Sequence, residues 1–316
     1  MKKLVSMTLC ALMLVSGFAF SGVSAEASPN PPISVLLDYA PVSFDQEPII
    51  VNDRTMVPVR AIFEAMGATV AWNANTKTVT SILGDTTVVM VIDNTVMTVN
   101  DIAKSLDVPA KIYGDRTLVP VRAVTESFGA DVKWVPETRT VKIVSKNFQD
   151  KLQYVRRFGS VKVLTSNTKE ATAAFGMEYF EEYNVLEHTA DGTDITVSHT
   201  TDSGHVSVSV RTDIFSGTEQ ALTKSYVESV ANGVVTILNG TLISSDVVNI
   251  GGTDFMRIKC TAPGIVHGIT DLEPDMYIYI ARKNGVTYTM TCSIYGTVSR
   301  NILGDFYYMT QSLVIA

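Results

Sequence analysis

Four groups of residues have types and spacings that could do chemistry. Ser166-Asn167-Thr168-Lys169 has the Ser-x-x-Lys spacing of an acylation motif, in which the lysine serves the serine. Its companion Lys-Thr-Gly is absent, so the match reads as a chance one. His199 and His205 flank a Thr-Asp-Ser-Gly turn with Asp194 and Asp202 close by. Facing each other across a five-residue loop, the two imidazoles could share a metal. A zinc site needs three or four protein ligands in fixed geometry, so the expectation is two solvated loop histidines and no metal. Glu178, Glu181 and Glu182 interleave with Tyr179, Phe180 and Tyr183. Paired carboxylates beside aromatic rings are the equipment of glycoside hydrolysis. A solvated acidic face with its rings turned inward explains the same pattern and is the reading adopted. Trp72 and Trp134, the only tryptophans, could stack on sugar rings. Each also shares a strand face with a valine, Val70 or Val132, so core packing is expected. No Gly-rich phosphate loop, His-Glu-x-x-His or Gly-x-Ser-x-Gly is present, so no catalytic or cofactor-binding residue is assigned.

The elements that must position these residues come largely from a duplication. DRTMVPVRAIFEAMGATVAW, residues 53–72, returns 62 places later as DRTLVPVRAVTESFGADVKW, residues 115–134, with thirteen of twenty positions identical. The offset holds without a gap beyond this stretch, giving repeats of 33–94 and 95–146. In each copy a β-rich run is broken by a turn at Asn52-Asp53 or Gly114-Asp115. Pro58 and Pro120 stand where a first helical residue belongs. Val59, Ile62, Phe63 and Met66 recur at helical spacing, as do Val121, Val124 and Phe128. Gly67 and Gly129 follow, and glycine suits the left-handed end of a helix. Arg60–Glu64 and Arg122–Glu126 are four apart, a spacing that supports a helix by ~0.2–0.5 kcal/mol per pair. The period then changes to two through Trp72 and Trp134 for a hairpin. One helix on one small sheet buries little, so a single copy is expected to be half of a domain.

The signature R-T-[ML]-V-P-V-R-A-x-x-E-x-x-G-A-x-V-x-W, written twice, resembles the copper amine oxidase N-terminal-like domain, or stalk domain, of secreted Gram-positive bacterial proteins. The resemblance implies a non-catalytic module joined to varied partners, with wall attachment and homodimerisation as its suggested roles. Its repeat signature falls on Pro58, Arg60, Glu64, Gly67 and Trp72, and again on Pro120, Arg122, Glu126, Gly129 and Trp134. Amine oxidase activity is rejected. That chemistry needs three copper-bound histidines and a tyrosine in an Asn-Tyr-Asp/Glu setting. The whole chain has four histidines, His188, His199, His205 and His267, and no such tyrosine.

A polar linker is expected over 147–159 and a second domain over 160–316. There, residues 194–213 read as a hairpin. Thr218 to Ala231 reads as a helix capped by Thr218, with Ala221, Leu222, Tyr226 and Val230 inward. Two strands break at Gly251-Gly252, and Asn284-Gly285 marks a tight hairpin. Phe306, Met309 and Leu313 suggest a closing helix. This layout is similar to the PsbP-like α/β/α sandwich. The fold class expected is therefore α+β: duplicated small β-rich units with one short helix each, then a separate domain with a mainly antiparallel sheet.

The ends and the charge bound the setting. Lys2-Lys3, the apolar run to Phe20 and Val23-Ser24-Ala25 have the form of a signal peptide over 1–25, followed by a linker over 26–32. No later apolar run is long enough to span a membrane. Removing Lys2 and Lys3 leaves 23 basic and 32 acidic residues, a net charge of −9. Such a chain repels phosphate backbones, which argues against nucleic acid as a partner. Cys260 and Cys292 both fall on core-facing strand positions, so two buried free thiols are favoured over a bridge. The sequence thus points to a secreted, cell-surface-associated binding or anchoring protein with no cofactor. Its expected partner is a wall polymer or a surface protein. An extracellular hydrolase in the second domain, or a binder of a small apolar ligand, is the alternative.

Overall fold

Pro58 ends a strand and starts a helix in the same step, and its repeat equivalent Pro120 does the same. The computed structural model describes residues 31–166, 170–188, 194–201, 204–215, 217–263, 275–296 and 298–315. The proposed signal peptide, Asn167 to Lys169, Asp202 and His267 lie outside them. Two compact units emerge, one built on residues up to 153 and the other from 154 onward, except that 303–307 group with the first.

In the first unit, copy one supplies β1 (Ser34–Leu37), β2 (Ala40–Pro41), β3 (Ile49–Val51), β4 (Arg54–Pro58), α1 (Val59–Ala65), β5 (Thr69–Asn73) and β6 (Thr78–Leu83). After β7 (Thr86–Val91), copy two supplies β8 (Val96–Val99), β9 (Ile102–Ser105), β10 (Lys111–Tyr113), β11 (Arg116–Pro120), α2 (Val121–Glu126), β12 (Asp131–Val135) and β13 (Thr140–Val144), then α3 (Lys146–Lys151). The prolines precede the helices rather than opening them. Pro58 has ψ of 118° and Pro120 of 109°, extended values, because both are still paired across the β4–β11 ladder. Gly67 and Gly129 end the helices at φ +85° and +77°. Each donates its N–H to the carbonyl of Glu64 or Glu126.

The copies interlock. In the sheet β10-β11-β4-β3, Val57 pairs with Val119, its own repeat equivalent, flanked by Pro58–Leu118 and Met56–Pro120. Exchanging the copies leaves that register unchanged, so a local twofold passes between the two valines. A second sheet, β12-β13-β1-β2, joins strands of both copies, with β13 running parallel to β1. The third, β5-β6-β7-β8-β9, does the same. There β7 lies between the copies and converts what would be a parallel contact of β6 with β8 into two antiparallel ones. Nothing like β7 follows β13. Instead Ser145 caps α3, held by the Asp38 carboxylate, which accepts from its N–H at 2.6 Å and its hydroxyl at 2.8 Å. One core serves both copies, with Ile62, Phe63, Val57, Val119, Val124 and Phe128 all inside it. A lone copy would expose half of it.

The second unit holds β14 (Val155–Thr165), β15 (Glu170–Phe180), β16 (Asn184–His188), β17 (Asp194–Thr200), β18 (Gly204–Ile214), α4 (Lys224–Ile237), β19 (Thr241–Ile250), β20 (Thr253–Thr261), β21 (Asp275–Lys283), β22 (Val286–Gly296), α5 (Arg300–Gln311) and β23 (Val314–Ile315). Seven strands form an antiparallel sheet in the order β16-β17-β18-β22-β21-β20-β19. A smaller sheet, β14-β15-β23, accompanies it. The fold is α+β with mainly antiparallel sheets.

Three expectations change here. The stretch 147–159 is not an unstructured linker: α3 occupies its start, and β14 begins at Val155, paired along its length with β15. The helix expected over 218–231 starts at Lys224 and runs to Ile237, capped by Thr223, whose hydroxyl accepts from Tyr226 N–H. Asn232-Gly233 looked like a stop, but Val234 and Val235 extend the buried face beyond it, and burial outweighs a glycine's ~1 kcal/mol helix penalty. Cys260 and Cys292 are free and buried, but on opposite faces. Cys260 pairs with Met276 and Cys292 with its neighbour Tyr277, and adjacent residues of a strand face opposite ways. With β21 between them, their Cα atoms stand about 9.5 Å apart at ~4.8 Å per strand, beyond the ~7 Å limit for a disulfide.

Candidate functional site

The largest concave features of the first unit are two clefts on its duplicated half. One encloses about 510 Å³ against Trp134, the other about 730 Å³ against Trp72. Each takes Pro, Arg, Glu and Trp from one copy's strand–helix–hairpin, and Ile, Asp, Arg and Thr from the other copy's β-turn. The Trp72 cleft is built on Ser43, Asp45, Pro58, Arg60, Glu64 and Trp72, closed by Ile112, Asp115, Arg116 and Thr117. The Trp134 cleft has Ser105, Asp107, Pro120, Arg122, Glu126 and Trp134, closed by Ile50, Asp53, Arg54 and Thr55. A shift of 62 converts one set into the other.

That correspondence extends to residue type. Of the fifteen residues lining each cleft, fourteen have their repeat equivalent in the other cleft, and all fourteen pairs are identical in type. Across the fifty positions 34–83 only nineteen keep the same residue 62 places on. Fourteen of those nineteen line the clefts; the others are Val57, Gly67, Ala68, Thr76 and Thr78. The buried core between the copies has meanwhile changed: Met56 faces Leu118, Ile62 matches Val124, and Phe63 matches Thr125. A packing requirement alone would tend toward the reverse, because cores tolerate few changes and surfaces many.

Charge in the clefts is paired. Arg116 meets Asp45 at 2.6 Å and Arg54 meets Asp107 at 2.6 Å, two equivalent bridges that each tie one copy to the other. The Arg116 guanidinium beside Asp45 holds that carboxyl below its ordinary range, and Asp45 in turn raises Arg116. Along the helices Arg60–Glu64 and Arg122–Glu126 stand at 4.0 and 3.9 Å. These side chains are largely exposed, so the bridges are worth little to stability and leave N–H groups and oxygen lone pairs directed to solvent. The tryptophans are not core residues as expected. Trp72 is 40 % exposed and Trp134 is half-buried, packed against the core. The rim isoleucines opposite them, Ile112 and Ile50, are 49 % and 45 % exposed.

Of the signature residues, Pro58, Arg60, Glu64 and Trp72 with their equivalents line the clefts, whereas Gly67 and Gly129 serve as helix ends. Sequence reasoning missed Asp45, Ile50, Arg54 and their equivalents. The signal was available in the identities that persist upstream of the quoted stretch, at Ser43, Asp45 and Ile50.

The other candidates do not assemble. Thr200, not His199, pairs with His205, so the two imidazoles point to opposite faces of β17 and β18. His199 lies against Tyr183, ring centroids 5.1 Å apart, and His205 bonds the Thr200 hydroxyl at 2.8 Å. Among the described residues no group of three or more His, Cys, Asp or Glu could hold a metal. Glu178 pairs with Arg157 at 2.7 Å and accepts from the Tyr308 hydroxyl; Glu181 pairs with Arg156 at 2.7 Å. Phe180 and Tyr183 are buried. A pocket of about 410 Å³ beside α4, lined in part by Leu222, Tyr226, Met256 and Arg282, lies in the second unit. Burial raises the Cys260, Cys292, Tyr279 and Tyr295 pKa values. No described helix is long and apolar enough to cross a membrane.

The fold and the paired clefts define a duplicated, β-rich domain of a non-catalytic type. Residues 36–143 match the family model of the copper amine oxidase N-terminal domain, and this segment is such a domain. No curated protein matches the chain. Among solved structures, a Bacteroides thetaiotaomicron protein is 13 % identical over 45 % of this chain and 45 % of its own, with TM-score 0.28. The chain thus spans less than half the length of that relative. Cyanobacterial PsbP from Synechocystis sp. PCC 6803 is 10 % identical over 52 % of this chain and 93 % of its own, with TM-score 0.33. The Saccharomyces cerevisiae Ran-binding protein Mog1p is 12 % identical over 50 % and 96 %, with TM-score 0.32.

Proposed function

We propose that this chain is an exported, non-catalytic binding protein of the Gram-positive cell envelope. The duplicated domain docks it, and the second unit contacts a surface protein or wall polymer. The observation that carries the reading is the identity of residue type at fourteen equivalent positions in two half-exposed clefts, while the core beneath them differs. Arg60, Glu64 and Trp72 stabilise the fold little from where they stand, so their exact return in a second cleft fits a shared binding task. The signal-peptide form of residues 1–25 supports export, and the acidic balance of the mature chain disfavours nucleic acid. The test is sedimentation of the mature chain, 26–316, with purified Gram-positive cell walls. Retention in the pellet is expected. A chain left wholly in the supernatant would remove wall docking and shift the search to soluble partners.

A further inference from the structure

We infer that the two clefts are equivalent binding sites for an uncharged glycan, two per chain, and that each is completed only by residues from both copies. This rests on reading the clefts as the docking surface. An indole such as Trp72, 40 % exposed, offers a flat apolar face beside polar groups. The C–H face of a pyranose ring is the matching partner, since aromatic side chains combine apolar area with fixed orientation. Ile112 and Ile50, the exposed rim residues contributed by the opposite copy, extend that face. Around it stand side chains suited to hydroxyl groups: a guanidinium donates along fixed directions and a carboxylate accepts.

The charge count selects the kind of glycan. The Trp134 cleft carries Arg54, Lys104 and Arg122 against Asp53, Asp107 and Glu126, a net charge of zero. The Trp72 cleft carries Arg60 and Arg116 against Asp45, Glu64 and Asp115, a net charge of −1. A polyanion would find no unmatched positive field in either, whereas neutral hydroxyls and amides can use both ends of each ion pair. The composite construction also accounts for the duplication. Arg116 of copy two is fixed by Asp45 of copy one, and Arg54 of copy one by Asp107 of copy two, so one copy alone cannot furnish a site.

The experiment is calorimetric titration of the mature chain with tetra-N-acetylchitotetraose, an uncharged oligosaccharide, beside intrinsic tryptophan fluorescence. Two sites per chain are expected. Raising salt from about 50 to about 500 mM should change the affinity less than about threefold, because an uncharged ligand releases no counterions. Trp72→Ala should leave one site and Trp134→Ala the other, each with its thermal unfolding retained. Arg116→Gln should weaken the Trp72 site although it belongs to the other copy, an effect that loss of local packing in copy one would not produce. Absence of heat and of any fluorescence change overturns the inference, as does binding that survives Trp72→Ala combined with Trp134→Ala. If walls retain the chain and both tryptophan variants, while the tetramer does not bind, docking stands and this inference falls. If the tetramer fills two sites but walls leave the chain in solution, the inference stands and docking falls.

Discussion

The clefts and the core of the duplicated domain are built from the same two copies, yet they have kept different things. The clefts keep side chains. The core keeps only volume: Phe63 in copy one becomes Thr125 in copy two, and Met66 becomes Phe128. The Phe63 and Phe128 rings then meet edge-on at 5.3 Å, one copy filling what the other vacated, while the Thr125 hydroxyl bonds back to the Val121 carbonyl at 2.8 Å. A core needs complementary shapes at native density, and several combinations supply them. A recognition surface needs particular groups at particular places, and few combinations do.

Mutations should separate the two. Phe63→Ala, in the core, should cost ~3–5 kcal/mol by chemical denaturation because it leaves a cavity against Phe128. Trp72→Ala should cost far less, under ~1 kcal/mol as a half-exposed residue away from the buried core, and remove glycan binding at its cleft. If Trp72→Ala proves as destabilising as Phe63→Ala, the clefts are packing surfaces and the comparison collapses.

The next contrast is between the units and is read by pH. Burial holds the Cys292 thiol well above its usual pKa, so folding favours the neutral form. That contribution is fully present below the unfolded value of about 8.5 and is lost as pH rises above it toward the folded one. The denaturation midpoint of the second unit should therefore fall in mild alkali, and less steeply in Cys292→Ala. A reductant should not move it at all, since no disulfide can form across β21. A reductant-sensitive midpoint would refute the opposed-face placement of the thiols.

Smaller again is Gly67→Ala. At φ +85° an L side chain is strained by ~1 kcal/mol or more, with no steric neighbour nearer than Leu83 Cδ1 at 4.0 Å. Thermal unfolding should show this loss with glycan binding intact, which places the glycine on the structural side of the comparison. The smallest effect belongs to Arg116→Gln. Asp45 is held in its charged form mainly by Arg116, so what that pairing contributes is present above the ordinary carboxylate pKa and lost as pH falls through the lowered one. The variant should return the Asp45 titration, followed by NMR, toward the ordinary value and flatten this part of the acid response.

Much of the fold was legible residue by residue. Asn284-Gly285 marked its hairpin, and both residues have positive φ, as a primed turn requires. Alternation placed Met256, Ile258 and Cys260 on one face, and they share the core beneath α4. The misreadings have physical causes. Thr218 and Thr223 are both competent caps, and burial of Val234 and Val235 chose between them. Pro58 fits the end of a ladder as well as the start of a helix, because in either place its missing N–H goes unused. For the candidate site, Arg60, Glu64 and Trp72 stood in the repeated stretch, but Arg54 and Asp107 lie 53 residues apart, and no local pattern joins them.

By itself the sequence determined the duplication, the periods of its strands and helices, the turns that glycine and asparagine impose, and the sign of the charge. These follow from spacing and from backbone preferences that act over a few residues. Only the tertiary structure decided that β13 of one copy lies beside β1 of the other, that each arginine finds the other copy's aspartate, and that the thiols face apart. Such choices depend on which long-range pairing buries the most apolar surface with its polar groups satisfied. That is a property of the whole chain, and no short stretch of it carries the answer.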